Sequence, residues 1–174
     1  MSASDKVRLL YGWWVRTITF FLPEIPMFQI FRGWLYSFAM KSCGKNFKVS
    51  ANVILNRLEK LEVGDNVYFA SGCFVAGGGD ITVGKNVLFG PNVNIAAANH
   101  KFDEESFISG YVFGEVIVND NCWIGGNCSL LMGTNIPKAS IVGAGSVCNK
   151  NYLTPFSLIA GVPARIIKDI RTKS

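Results

Sequence analysis

From Cys43 onward a large apolar residue returns every six positions, a spacing that neither a helix nor a simple strand period produces. The series runs Cys43, Val49, Leu55, then Val63, Phe69, Val75, then Val83, Phe89, Ile95. It resumes at Val118, Ile124, Leu130 and again at Ile136, Val142, Cys148. Four positions after most of these comes a second, usually smaller residue: Val67, Cys73, Val87, Val93, Cys122, Cys128, Thr134, Ser140 or Ser146. Gly, Asn or Asp often follows the lead residue or closes the turn, as in Val83-Gly84-Lys85-Asn86. Those types tolerate the left-handed backbone angles of a tight corner. The pattern predicts an all-β parallel coil in which a short strand and a corner repeat until three sides close. Lead residues of successive coils then stack into three ladders. The first is Cys43, Val63, Val83, Val118 and Ile136, the second Val49, Phe69, Phe89, Ile124 and Val142, and the third Leu55, Val75, Ile95, Leu130 and Cys148. No coil can bury its inward face alone, so stability comes from stacking.

The spacing also locates an interruption. Lead residues 43, 63 and 83 are twenty apart, with two residues beyond the three hexads inserted near Lys60-Leu61 and Asp80-Ile81. At the same place in the next coil, Ile95 to Val118 spans 23 positions. A long loop, about residues 98–116, therefore leaves the prism from one defined corner. Residues 1–42 form a separate aromatic and basic helical segment, and residues 43–174 form the coil domain with a short C-terminal tail.

Charge narrows the partners. Charged residues are 17% of the 174, low for a small soluble protein, so apolar surface is expected to be covered by other copies of the chain or by lipid. Residues 1–48 hold Lys6, Arg8, Arg16, Arg32, Lys41, Lys45 and Lys48 against Asp5 and Glu24, so the whole net charge of +5 sits there. A neutral body behind a basic front does not resemble a nucleic-acid binder, whose charge stripes the folded surface. Leu9 to Leu22 is too short to span a bilayer and is interrupted by Arg16, and no cleavable secretory signal is evident. The five cysteines are therefore expected as reduced thiols in the cytoplasm. All of them fall on inward positions of the repeat, which reads as core packing. With no CxxC and one histidine, no metal site is expected.

Three stretches carry a resemblance: Cys122-Trp123-Ile124-Gly125-Gly126-Asn127, Ile141-Val142-Gly143-Ala144-Gly145-Ser146 and Ala160-Gly161-Val162-Pro163-Ala164-Arg165. Together they resemble the hexapeptide-repeat acyltransferases, in the maltose, galactoside and xenobiotic acetyltransferase branch, closest in style to polysaccharide O-acetyltransferases. The resemblance covers about residues 43–168. It implies a left-handed coil, against the usual right-handed crossover. It also implies a homotrimer with active sites between neighbouring prisms, and acetyl-CoA as co-substrate.

His100, in Ala98-Asn99-His100-Lys101-Phe102-Asp103, stands at the root of the long loop. Transfer to a hydroxyl needs a base near working pH, and imidazole suits it. The resemblance makes His100 the catalytic base, with Asn99 and Asp103 as substrate-binding candidates. It gives Trp123 and the backbone at Gly125, Gly126, Gly143 and Ala144 to the pantetheine arm, and Lys150 and Arg165 to the nucleotide end. A backbone N–H near Gly126 is the candidate oxyanion donor. One departure stands out, since the Asn that maltose and galactoside enzymes carry before the loop has no counterpart in Ala70-Ser71-Gly72-Cys73. The expected function is O-acetylation of a sugar hydroxyl in a capsule or lipopolysaccharide precursor, with a lipid-linked acceptor left open. A xenobiotic O-acetyltransferase, an N-acetyltransferase on an amino sugar and a silent β-helix scaffold stay open as alternatives.

The front segment holds 11 of the 22 aromatic residues, among them Trp13, Trp14 and Trp34. Aromatics beside basic residues suit a membrane–water interface. The expected form is two helices broken at Pro23-Glu24-Ile25-Pro26, with Arg8, Arg16 and Arg32 available to lipid phosphates. Capping the open end of the prism and peripheral contact with the inner face of a membrane are both open to it.

Overall fold

A computed structural model describes residues 3–108 and 110–171. Strands of two to six residues wind into a three-sided prism. One face stacks Ser42–Cys43, Leu61–Val63, Asp80–Val83, Glu115–Val118 and Asn135–Ile136. The second runs from Lys48–Val49 through Tyr68–Phe69, Leu88–Phe89, Trp123–Ile124 and Ile141–Val142 to Ser157–Gly161. The third stacks Ile54–Leu55, Phe74–Ala76, Asn94–Ala96, Ser129–Leu131 and Val147–Cys148. Within these stacks each coil pairs in parallel with the next.

Every predicted ladder is found in register. Cys43 lies opposite Val63, Val63 opposite Val83, and Val83 opposite Val118. Val49, Phe69, Phe89, Ile124 and Val142 align in the same way, as do Leu55, Val75, Ile95, Leu130 and Cys148. These side chains are buried, apart from Cys43, which is half-buried on the edge strand of its face. The corners explain the polar half of the repeat. Asn46, Asn66, Asn86 and Asn121 all adopt φ between 56 and 61°, and each amide donates to the next at 2.9–3.0 Å. Asparagine thus tolerates the left-handed angle and also satisfies its own side chain along the corner. The two extra residues of the long coils lengthen the strands of the first face, to Leu61–Val63 and Asp80–Val83.

Two helices, α1 (Ala3–Thr19) and α2 (Pro26–Ser37), lie across the first coil. Proline at the first position starts α2, because its missing N–H has no intrahelical acceptor there in any case. Glycines allow the close approach. A Cβ on Gly33 would come within 2.0 Å of the Phe47 carbonyl oxygen, and one on Gly12 within 3.3 Å of that of Leu55. The prism-capping role is therefore built. Arg32 departs from the expectation that it faces lipid. Its side chain is 1% exposed, pairs with Glu24 at 3.0 Å and donates to the carbonyls of Thr19, Leu22 and Val49. A buried guanidinium needs this many acceptors, and the broken chain between the helices supplies them. Burial pushes the Glu24 carboxyl up, but the Ala51 N–H, Gln29, Ser50 and Arg32 outweigh it and hold it below the ordinary carboxylate range.

The other end of the prism is closed by a hairpin. Within the predicted coil domain, Ala164–Asp169 turns back antiparallel on Ser157–Gly161 and closes the last coil, an element outside the six-residue repeat. Tyr152 supports this hairpin by donating its hydroxyl to the Ala164 carbonyl at 3.1 Å.

Candidate active site

The long loop leaves from the corner between the third and first faces, as the spacing required. Its base is an antiparallel ribbon, Ala98–His100 against Tyr111–Phe113, with His100 opposite Tyr111. Strand alternation sends Ala98 and His100 to one side, and Asn99 to the other. Ala98, His100, Tyr111 and Phe113 line a groove of about 740 Å³ that runs past Asn56 and Arg57 to Leu9 of α1. Asn99 does not line that groove.

His100 is exposed, and its ring lies 4.6 Å from that of Tyr111, centre to centre. Its Nδ1 is 3.2 Å from the Phe107 carbonyl oxygen. A carbonyl can only accept, so in the neutral ring Nδ1 carries the proton and the Nε2 lone pair is left for a substrate. The loop is shaped to hold that carbonyl in place. Asp103 accepts from the N–H groups of Ser106 and Glu105 at 2.8 and 3.3 Å, and its own N–H donates to the Ser106 carbonyl. Asp103 thus acts on the turn that leads into Phe107. The groove residues Asn56, Arg57, Tyr111 and Phe113 carry no signal in the repeat. Arg57 sits in the left-handed region with φ 56°, its Nε 2.6 Å from Glu59 and a terminal nitrogen 3.7 Å from Asp5.

No family model matches the chain. Over 134 residues, 76% of this chain and 67% of the relative, it is 34% identical to YJL218W of Saccharomyces cerevisiae, a protein assigned by name to the acetyltransferases. The maltose O-acetyltransferase of Clostridium difficile superposes with a TM-score of 0.84 at 27% identity, covering 97% of this chain and 89% of that one. The chain belongs to the hexapeptide-repeat acetyltransferases. A hexapeptide-repeat acetyltransferase of Vibrio cholerae, solved with acetyl-CoA, shares the left-handed fold at a TM-score of 0.82 and 23% identity, over 97% of this chain and 90% of that one. The chain spans between 45% and 67% of the length of the first curated relatives it matches.

The remaining motifs of this acetyltransferase lie on a different edge from His100. Trp123 is half-exposed on the second face, and Gly125, Gly126, Gly143 and Ala144 stack at the corner between the second and third faces. A Cβ on Gly125 would lie 2.6 Å from the Ala144 nitrogen, so this corner is bare backbone. Gly125 donates to Val142, Asn127 to Pro91, Gly143 to Ile159 and Gly145 to Gly126, while the N–H groups of Gly126 and Ala144 have no acceptor among the described residues. Lys150 and Arg165 gather at the closing end, with Lys150 Nζ 5.6 Å over the Tyr152 ring. One chain therefore places His100 on one edge and the Gly126 and Ala144 N–H groups on another.

The cysteines are buried, with Cys43 half-buried. Burial pushes the thiols of Cys43, Cys73, Cys122 and Cys148 up to about 11, and that of Cys128 up as well. An acyl-cysteine route lacks a thiolate at neutral pH. No cluster of His, Cys, Asp and Glu among the described residues could hold a metal ion.

Proposed function

We infer that the chain transfers an acetyl group from acetyl-CoA to a sugar hydroxyl, and that the acceptor is a cell-envelope polysaccharide precursor. The observation that carries the transfer chemistry is His100, its Nδ1 held against the Phe107 carbonyl, bordering an open groove. Its Nε2 takes the hydroxyl proton as the oxygen attacks the thioester carbonyl. The tetrahedral intermediate then collapses, and the imidazolium returns the proton to the departing CoA sulfur. The Gly126 N–H suits the transient oxyanion, and the Ala144 N–H suits a pantetheine carbonyl. The maltose enzyme supports a sugar as acceptor. A polymer rather than a free sugar fits a groove that is long, open and continued onto α1. Mass spectrometry of surface glycan from cells with and without the gene tests this reading. Loss of acetyl mass on deletion is expected, and an unchanged glycan with altered drug sensitivity would move the chain to the xenobiotic acetyltransferases.

The division of the site between two edges supports assembly as a trimer, in which His100 of one copy faces the Gly126 corner of the next. Exposed apolar side chains on the loop, among them Phe107, Ile108 and Phe113, are suited to such a contact. Sedimentation should give three times the 19.0 kDa chain mass. An active monomer would remove the shared-site arrangement.

A further inference from the structure

The capping helices have two faces, and the prism uses only one of them. Gly12, Val15 and Thr19 of α1 and Arg32, Gly33 and Tyr36 of α2 are buried beneath the helices. On the opposite arcs a soluble helix carries charge, yet here Leu10, Trp13 and Trp14 of α1 are exposed, followed by Phe21, which is 90% exposed. α2 matches it with Met27, Phe31 and Trp34, and Phe38 follows at its C-cap. An exposed apolar face of this extent marks an interaction surface.

We propose that this face seats the protein on the surface of an anionic phospholipid bilayer. Three observations select that occupant. The face lies on the far side of helices stacked beneath the first coil, so it points along the prism axis. Copies packed side by side through the prism faces leave it uncovered. Its charge has one sign. Lys6 on α1, and Lys45, which borders one groove with Trp34, are exposed and in no ion pair among the described residues. The nearby acids are already engaged, Glu24 by Arg32, Asp5 by Arg57, and Asp65 by Lys85 and the Lys45 backbone N–H. Two such faces brought together would repel, whereas lipid phosphates are attracted. Tryptophan beside Lys and Arg is also the composition of the headgroup zone, and no helix among the described residues is long and apolar enough to cross it. The groove at His100 ends on Leu9, one residue from Leu10 of this face, so docking brings the groove mouth close to the membrane plane.

Vesicle co-sedimentation of the full chain tests the proposal without reference to turnover. Wild type should bind phosphatidylcholine vesicles containing phosphatidylglycerol, bind pure phosphatidylcholine more weakly, and be released by salt. A Trp13→Ala/Trp14→Ala variant should partition about tenfold or more weakly, through lost apolar burial. A Lys6→Glu/Lys45→Glu variant should do the same, since each basic residue near an anionic surface is worth about fivefold. Leu153→Ala, an exposed apolar change on the last coil, should bind as wild type. All the substituted side chains are exposed, and circular dichroism checks that each variant is folded. Wild type that stays off anionic vesicles overturns the proposal. It hands the face to a second copy if sedimentation then shows a larger assembly that the tryptophan variant dissolves. Undiminished binding by both variants overturns it equally.

Discussion

Replacing His100 with alanine is expected to lower acetyl transfer by roughly 10²–10⁴-fold, the usual worth of a positioned general base, while leaving the protein folded. On the barrier this corresponds to about 3–5 kcal/mol. The fold should survive because His100 is exposed and its contacts are local, to the Phe107 carbonyl and the Tyr111 ring. The loss should fall on kcat. The candidate donor-binding backbone lies at Gly126 and Ala144 on another edge, so the Km for acetyl-CoA should change little. Steady-state kinetics with a fixed acceptor would show this, alongside a thermal melt matching wild type. Turnover near the wild-type level would mean that the acceptor proton leaves by another route.

The prism was legible in the sequence down to its register, and the site was legible only in part. Lead residues such as Val83 and Val118 could be paired across 35 positions because each inward side chain must meet the next coil's, and a slip exposes the whole set. The loop root followed from the same counting, and the role given to His100 there rests on the family resemblance. The group that fixes the histidine tautomer did not, because it is the Phe107 carbonyl and every residue carries one. Asp103 matched a family motif, but in the structure its carboxylate binds the turn at Glu105 and Ser106. Arg32 read as a surface cation because composition cannot show that three carbonyls and Glu24 converge where the helices meet. The C-terminal hairpin was missed for a related reason, since its antiparallel pairing falls outside the six-residue period.

The same stacking logic makes Phe69 the most sensitive core position. It is fully buried on the second face, stacked on Phe89 at 4.3 Å with rings 3° from parallel, and met edge-on by Phe47 at 5.9 Å. In a globular core several neighbours can move into a hole. Here the strand Tyr68–Phe69 sends one side chain inward, and its neighbours are pinned by ladders above and below. Phe69→Ala should therefore cost about 3–5 kcal/mol, at the full value for a buried aromatic. The damage should be directional as well. Val49 lies opposite Phe69, and α2 packs on the strand Lys48–Val49, so the first coil and its helical cap should loosen before the coils beyond Phe89. Urea unfolding would give the magnitude, and amide hydrogen exchange would give the direction, with protection lost first around residues 42–55. Phe69→Leu, which refills most of the hole, should lose less on both measures. A loss below about 1 kcal/mol, within the range of ordinary surface changes, would show that the coils relax around a cavity more freely than their ladders imply.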